Sequence, residues 1–339
     1  LQASPSTADD PRLNALRKWL AAKFPDEQPA LAPASADASF RRYFRAGFRD
    51  GTRIAMDAPP PQEDTAPFTR VAALMREAGL HVPEVIAADT AQGFLLLTDL
   101  GNTTYLNAIN ETNADALFAD AISALIAWQR ASRPGVLPPY DRALLQRELD
   151  LFPEWYVGRH LGVTLSAAQR TQLARIEGLL MDSALAQPQV YVHRDYMPRN
   201  LMLSTPNPGV LDFQDAVYGP ITYDVASLFR DAFISWPEPR VIDWVARYWE
   251  QAKRAGLPVD ADFGEFYRAF EWMGLQRHLK VLGIFARIRY RDGKPAYLED
   301  APRFLRYARE VAVRYAALSP LLQLLDELEQ RKPQVGYTF

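Results

Sequence analysis

The 339-residue chain contains no cysteine, which excludes a disulfide framework and a thiolate metal site and suits a reducing compartment, so the expected location is cytoplasmic. It also lacks a strong charge of either sign: the net charge of −3 gives no reason to expect nucleic acid or an anionic membrane as a partner. No stretch approaches the run of about 18 apolar residues that a membrane-spanning helix needs. The opening LQASPSTADD has neither the basic segment nor the apolar core of a secretory signal. Internal repeats and long low-complexity tracts are missing as well. What remains is 48% apolar and 23% charged, the balance of an ordinary globular protein, with length enough for two domains or one bilobal unit.

The most informative stretch runs from Val190 to Tyr218 and reads VYVHRDYMPRNLMLSTPNPGVLDFQDAVY. Val190 to Val192 reads as a buried strand, and a polar loop carrying His193, Asp195 and Asn200 follows it. Two short apolar pieces, Leu201 to Leu203 and Val210-Leu211, flank the turn TPNPG, so a hairpin is expected to bring Asn200 and Asp212 together. Two oxygen ligands beside one carboxylate suit phosphoryl transfer: Asn200 and Asp212 to hold Mg²⁺ on a nucleotide, and Asp195 to accept a hydroxyl proton. An Asp followed by an Asn at this spacing also caps turns; the layout of strand, H-x-D-x-x-x-x-N, hairpin and Asp-Phe is what carries the reading. This layout resembles the catalytic and metal-binding loops of the protein-kinase-like fold. Gln214 stands where protein kinases have the glycine of D-F-G, and that departure points to the aminoglycoside-phosphotransferase-like kinases of small molecules.

Earlier in the chain, Asp10-Pro11 starts a helix with Leu13, Leu16, Leu20 and Phe24 at helical spacing. Phe40 to Phe48 and Arg53 to Met56 read as two strands about the Asp50-Gly51 turn. In a kinase-like fold the small, polar SADAS loop before them covers the phosphates, with Ser35 and Ser39 adding hydroxyls to the backbone N–H groups. Met56 falls where such a fold carries its phosphate-binding Lys. Either the protein is inactive or a neighbouring cation substitutes; among Arg41, Arg42 and Arg45, strand alternation is expected to turn Arg42 toward the phosphates. A solvated basic edge strand is the alternative. Pro67 to Ala78 reads as a helix, with Glu77 as a possible partner for that cation. Strands then lead to Asp99 and Leu100, whose backbone groups are expected to meet an adenine edge at a hinge. Beyond it the chain reads as helical, with Asp141 to His160 as one helix and Asp260 to Tyr290 as another. Arg277, His278, Lys280, Arg287, Arg289 and Tyr290 on the latter read equally as helical surface and as a substrate wall.

SADASFRRYFR, MDAPPPQE, LFPEWYVGRHLG, VHRDYMPRNLM, GVLDFQDAVYGP and RHLKVLGIFARIRYRDGKP make the resemblance closer. They are similar to the anomeric amino-sugar kinases of bacterial cell-wall recycling, within the aminoglycoside-phosphotransferase-like group. The resemblance implies an α+β, bilobal protein-kinase-like fold. A small antiparallel N-terminal lobe with a helix (1–98) would bind the nucleotide, and a larger, mainly helical lobe (99–339) would carry catalysis and substrate. It implies ATP and Mg²⁺ as cofactors, and phosphorylation of the C1 hydroxyl of N-acetylmuramic acid and N-acetylglucosamine to the α-1-phosphate. A kinase of another small hydroxylated molecule, such as an aminoglycoside or amino alcohol, is the alternative. The resemblance further implies that Met56 replaces Lys by design, and that Asp224 braces the catalytic loop together with His193. A lactyl carboxylate needs a cation, for which Arg199, Arg287 and Arg289 are candidates, and Trp155 and Phe233 offer flat faces to a sugar ring.

Overall fold

In the computed structural model, which describes residues 10–35 and 40–329, contacts divide the chain into two compact units. The first holds residues up to Ala108 together with Leu201–Asp215; the second holds Ile109–Asn200 and Ala216 onward. The expected split at 98/99 thus falls inside the first unit, and the hairpin after Asn200 belongs to that unit.

The first unit is built on a five-stranded antiparallel sheet of β1 (Ala30–Ser35), β2 (Arg42–Phe48), β3 (Gly51–Asp57), β4 (Val85–Asp89) and β5 (Phe94–Thr98), in the order β1-β2-β3-β5-β4. Gly51 at φ 138° makes the β2–β3 turn, a conformation that a side chain would strain. Helix α1 (Pro11–Lys23) starts where Asp10 accepts a 3.0 Å bond from the Leu13 N–H. Its Leu13, Leu16, Trp19 and Leu20 pack on Phe44, Ala55, Phe94 and Leu96, which share one sheet face by their pairing. Met56, opposite Tyr43, lies on the other face. Helix α2 (Ala66–Glu77) buries Phe68, Val71, Ala72 and Met75. A short helix α3 (Tyr105–Ala108) and a hairpin of two short strands, Leu201–Met202 and Gly209–Val210, complete the unit.

The second unit is helical. It contains α4 (Ala114–Arg130), α5 (Arg142–Leu149), α6 (Ala167–Ala186), α7 (Tyr223–Phe229), α8 (Glu238–Arg254), α9 (Phe263–Asp292), α10 (Ala301–Arg314) and α11 (Ser319–Leu328). A two-stranded ribbon pairs β6 (Gln189–Val192) with β9 (Val217–Pro220), the hairpin strands between them being β7 and β8. The helix expected over Asp141 to His160 is instead α5 followed by a π-helical segment, Phe152–His160. Pro153 supplies no N–H near its start, which breaks the α ladder there. Helix α9 is buried on all sides from Met273 to Gly283, so it forms the axis of the unit. A Cβ on Gly283 would come within 2.4 Å of the Leu151 backbone, so only glycine lets α9 approach the end of α5 this closely. Among the described residues, no helix is long and apolar enough to cross a membrane.

Candidate active site

In the second unit, the loop after β6 carries His193, Asp195 and Asn200. Asp224, fully buried on α7, accepts the His193 N–H at 2.6 Å on one oxygen and the Arg194 N–H at 3.0 Å on the other. Burial pushes its carboxyl up to about 7, against the lowering effect of those two N–H groups. The Asp195 N–H donates to His193 Nδ1 at 3.2 Å, which fixes the proton of a neutral His193 on Nε2. Asn200 closes the loop: its Nδ2 donates to the Asp195 carbonyl at 2.9 Å, so Oδ1 is the atom it would offer a cation. Tyr196 anchors the loop beneath by donating to the Ala121 carbonyl at 2.8 Å. The result is a half-buried Asp195 carboxylate on a backbone held at both sides.

In the first unit, Asp212 follows the hairpin. This residue has φ 64°, a left-handed conformation that is uncommon away from glycine and gathers at functional sites. The following Phe213 is fully buried and packs on Phe68 of α2 with ring centroids 4.8 Å apart. Gln214 Nε2 donates to Asp212 Oδ1 at 2.8 Å, which gives the residue in the glycine position of D-F-G a role in orienting the carboxylate. Among the described residues no group of three or more His, Asp or Glu side chains forms a metal cage. One carboxylate and one amide oxygen fit Mg²⁺, which is characteristically held by one or two protein oxygens plus nucleotide phosphates and water.

On the sheet, the structure corrects the placement of Arg42. It pairs with Asp57 across β2–β3 and therefore lies on the α1 face, opposite to Met56. Its guanidinium bonds Asp57 at 2.6 Å and also Asp10, while Arg12 of α1 bonds the other Asp57 oxygen. This triple ion pair clamps α1 to the sheet. Alternation along β2 is the physical reason: residue 42 shares its side with Phe44 and Ala46, not with Tyr43. Arg41 instead pairs with Glu63, from the MDAPPPQE motif, at 2.8 Å with both side chains largely buried. Arg45 bonds Asp99 at 2.6 Å, and Asp99 also accepts from Thr52 and the Gly101 N–H. Burial opposes ionisation of Asp99, but Arg45 and the other donors outweigh it and hold the carboxyl below its usual range. Leu100 is buried, and Ser35 ends β1. Ser39 lies outside the described residues. Glu77 is exposed at the last turn of α2.

The candidate sugar contacts separate into two groups. The Arg199 guanidinium lies 5.0 Å over the Phe233 ring, so these two meet beside the catalytic loop. On α9, Arg277 and Lys280 are turned inward, with Arg277 Nη2 3.8 Å from the sulfur of Met197 in that loop. Arg287 and Arg289 follow farther along; twelve residues of helix put Arg289 about 18 Å from Arg277 along the axis. Arg289 lines a separate cleft of about 240 Å³ with Tyr156, His160 and Glu299. Trp155, half-buried in the π-helical segment, is not among the residues lining it. One further residue of the loop's surroundings carries no local sequence signal: Glu148 on α5, which pairs with Lys280 at 2.9 Å. A glutamate on an amphipathic helix reads as a solvated face, and only the fold shows that this one is buried.

A family model described as the phosphotransferase enzyme family, APH, matches residues 30–263. The N-acetylmuramate/N-acetylglucosamine kinase of Pseudomonas putida is 60% identical over 276 residues, 81% of this chain and 81% of that protein. The protein of that name from Pseudomonas aeruginosa is 55% identical over 333 residues, 95% of this chain and 98% of the relative. Its counterpart from Neisseria meningitidis is 53% identical, covering 96% and 98%. Among solved structures, a choline/ethanolamine kinase family protein from Mesorhizobium loti superposes with a TM-score of 0.62 at 18% identity, covering 93% of this chain and 99% of that one. An ADP-bound aminoglycoside phosphotransferase gives 0.57 at 14% identity, covering 88% and 98%. At these identities the structures speak for the fold alone, which is the protein-kinase-like one.

Proposed function

Given that the chain belongs to the APH phosphotransferase enzyme family, we propose that it transfers the γ-phosphoryl group of ATP to the anomeric C1 hydroxyl of N-acetylmuramic acid and N-acetylglucosamine. What carries this reading is the 55% identity to the Pseudomonas aeruginosa kinase across 95% of the chain, together with a loop that holds Asp195 by its backbone on both sides. The product is the α-1-phosphate, a step of peptidoglycan recycling in the cytoplasm.

In this reading Asp195 is the base. It accepts the C1 hydroxyl proton while Asp224, His193 and Asn200 keep the loop from moving. Asn200, through Oδ1, and Asp212 would hold the magnesium ion. The bound Mg²⁺–nucleotide supplies the phosphoryl group and the charge that stabilises its transfer. Arg41, held by Glu63, is the cation that takes the place of the Lys missing at Met56. Backbone groups of Asp99 and Leu100 meet the adenine edge. Arg199 and Phe233 line the sugar, and Arg287 and Arg289 lie farther along α9. Phosphoryl transfer has a loose transition state, so positioning outweighs activation of the nucleophile. An anomeric hydroxyl is more acidic than an ordinary alcohol, which eases the task of Asp195.

The test offers ATP, Mg²⁺ and a panel of acceptors, and reads ADP release. Turnover of N-acetylglucosamine with phosphorus–C1 coupling in the product, and none of its 1-O-methyl glycoside, is the expected result. Phosphorylation of the blocked glycoside would make the enzyme a kinase of another hydroxyl. Turnover of an aminoglycoside or amino alcohol alone would replace the amino sugar as substrate.

A further inference from the structure

Arg194, directly before Asp195, has φ 78°, a left-handed conformation that a residue with a side chain disfavours. Asp224 holds its N–H, but that bond leaves the long side chain undirected. The guanidinium reaches 46 residues back and pairs with Glu148 of α5. Glu148 is itself fixed from three directions. Tyr140 donates to its Oε2, Gln276 Nε2 donates to the same oxygen at 3.3 Å, and Lys280 Nζ lies 2.9 Å from Oε1. Lys280 in turn donates to the Tyr223 hydroxyl at 2.9 Å, one residue before Asp224. The same cluster therefore reaches the catalytic loop from α5, α7 and α9.

We propose that Glu148 is a positioning residue for Asp195: through Arg194 it fixes the left-handed turn that aims the catalytic carboxylate. The proposal rests on the reading of Asp195 as the base. Glu148 is all but buried, and although burial alone would raise its carboxyl, Lys280 and Arg194 hold it down at about 2, so it is an anion throughout the working range. A pair kept merely for cohesion would need one cation. Here one carboxylate faces two, and one of them belongs to the residue adjoining the base. The shape of the cluster thus follows the loop rather than the neutralisation of charge.

Glu148→Gln keeps the shape and removes the charge. Expected is a fall in kcat of roughly 10–100-fold, as for a misplaced catalytic group, with KM for sugar and for ATP changed less than about twofold. Because the variant leaves buried Lys280 and part-buried Arg194 without their carboxylate, its melting temperature falls too. The double variant Glu148→Gln/Lys280→Met removes one anion and one cation and restores the native balance of charge. The proposal expects it to regain melting temperature but not kcat, since Arg194 still lacks its carboxylate. Recovery of kcat along with stability, or a normal kcat in Glu148→Gln, overturns it. Should the single variant not fold, the double variant alone carries the comparison. Asp195→Asn is measured beside them: near-normal turnover there overturns the base itself rather than the role of Glu148.

Discussion

Each carboxylate at the site has a distinct burden, and the substitutions that separate them follow from their bonds. Asp195 has its backbone N–H and carbonyl tied down by His193 and Asn200, so Asp195→Asn leaves the loop in place and removes only the carboxylate proposed as base. Turnover is expected to fall by roughly 10²–10⁴-fold with nucleotide affinity kept, as kinetics and ATP titration would show. Unchanged turnover would remove Asp195 from the mechanism. The two adjacent arginines before and in β2 are expected to behave differently from each other. Arg41→Ala should raise KM for ATP, because it removes the cation beside Glu63. Arg42→Ala should lower the melting temperature while sparing KM for ATP, because it opens the clamp of Asp10 and Asp57 on α1. The reverse pattern would return Arg42 to the phosphates.

Among the elements, the strands, the first helix and the hairpin were legible because their signals are local. Asp10-Pro11, Asp50-Gly51 and the prolines of TPNPG mark ends of elements regardless of what packs on them. The loop of His193, Asp195 and Asn200 was legible as a unit for the same reason, since its spacing is contained in one stretch of chain. Which face of β2 meets α1 is a tertiary choice, and it places Arg42 on the α1 side with Asp57, not on the side of Met56. The long helix over Asp141 to His160 failed at Pro153, where apolar periodicity continues through a change of helical type. The close crossing of α9 and the end of α5 was equally invisible, since Gly283 within a helix reads as mere weakness. Its consequence is testable. Gly283→Ala forces a methyl against the Leu151 backbone, and is expected to cost about 1–3 kcal/mol in urea unfolding despite the better helix propensity of alanine. A stabilised variant would mean that the two elements separate without loss.

For the molecule as a whole, two buried glutamates give stability opposite dependences on pH. Glu148 is held down at about 2 in the fold against an ordinary 4.5, so its contribution is full above the unfolded value and is lost as pH falls from 4.5 toward 2. Glu177 on α6 is the reverse case. Burial lifts its carboxyl to about 7; the Gln146 amide at 3.4 Å opposes that only weakly, and Asp150 adds to it. Between 4.5 and 7 the folded chain keeps a proton on Glu177 that the unfolded chain has released, so this residue makes stability fall as pH rises through that window. At pH 8 folding must bury the charge itself. Glu177→Gln removes that cost and preserves the bond to Gln146, so the variant is expected to be more stable than the parent at pH 8, by on the order of 1–3 kcal/mol, and equal to it at pH 5. Thermal unfolding of both proteins across that range measures the difference directly. A gap that stays constant with pH would show that Glu177 does not change its charge on folding, and a variant less stable at pH 8 would show that its anion has a partner that outweighs burial.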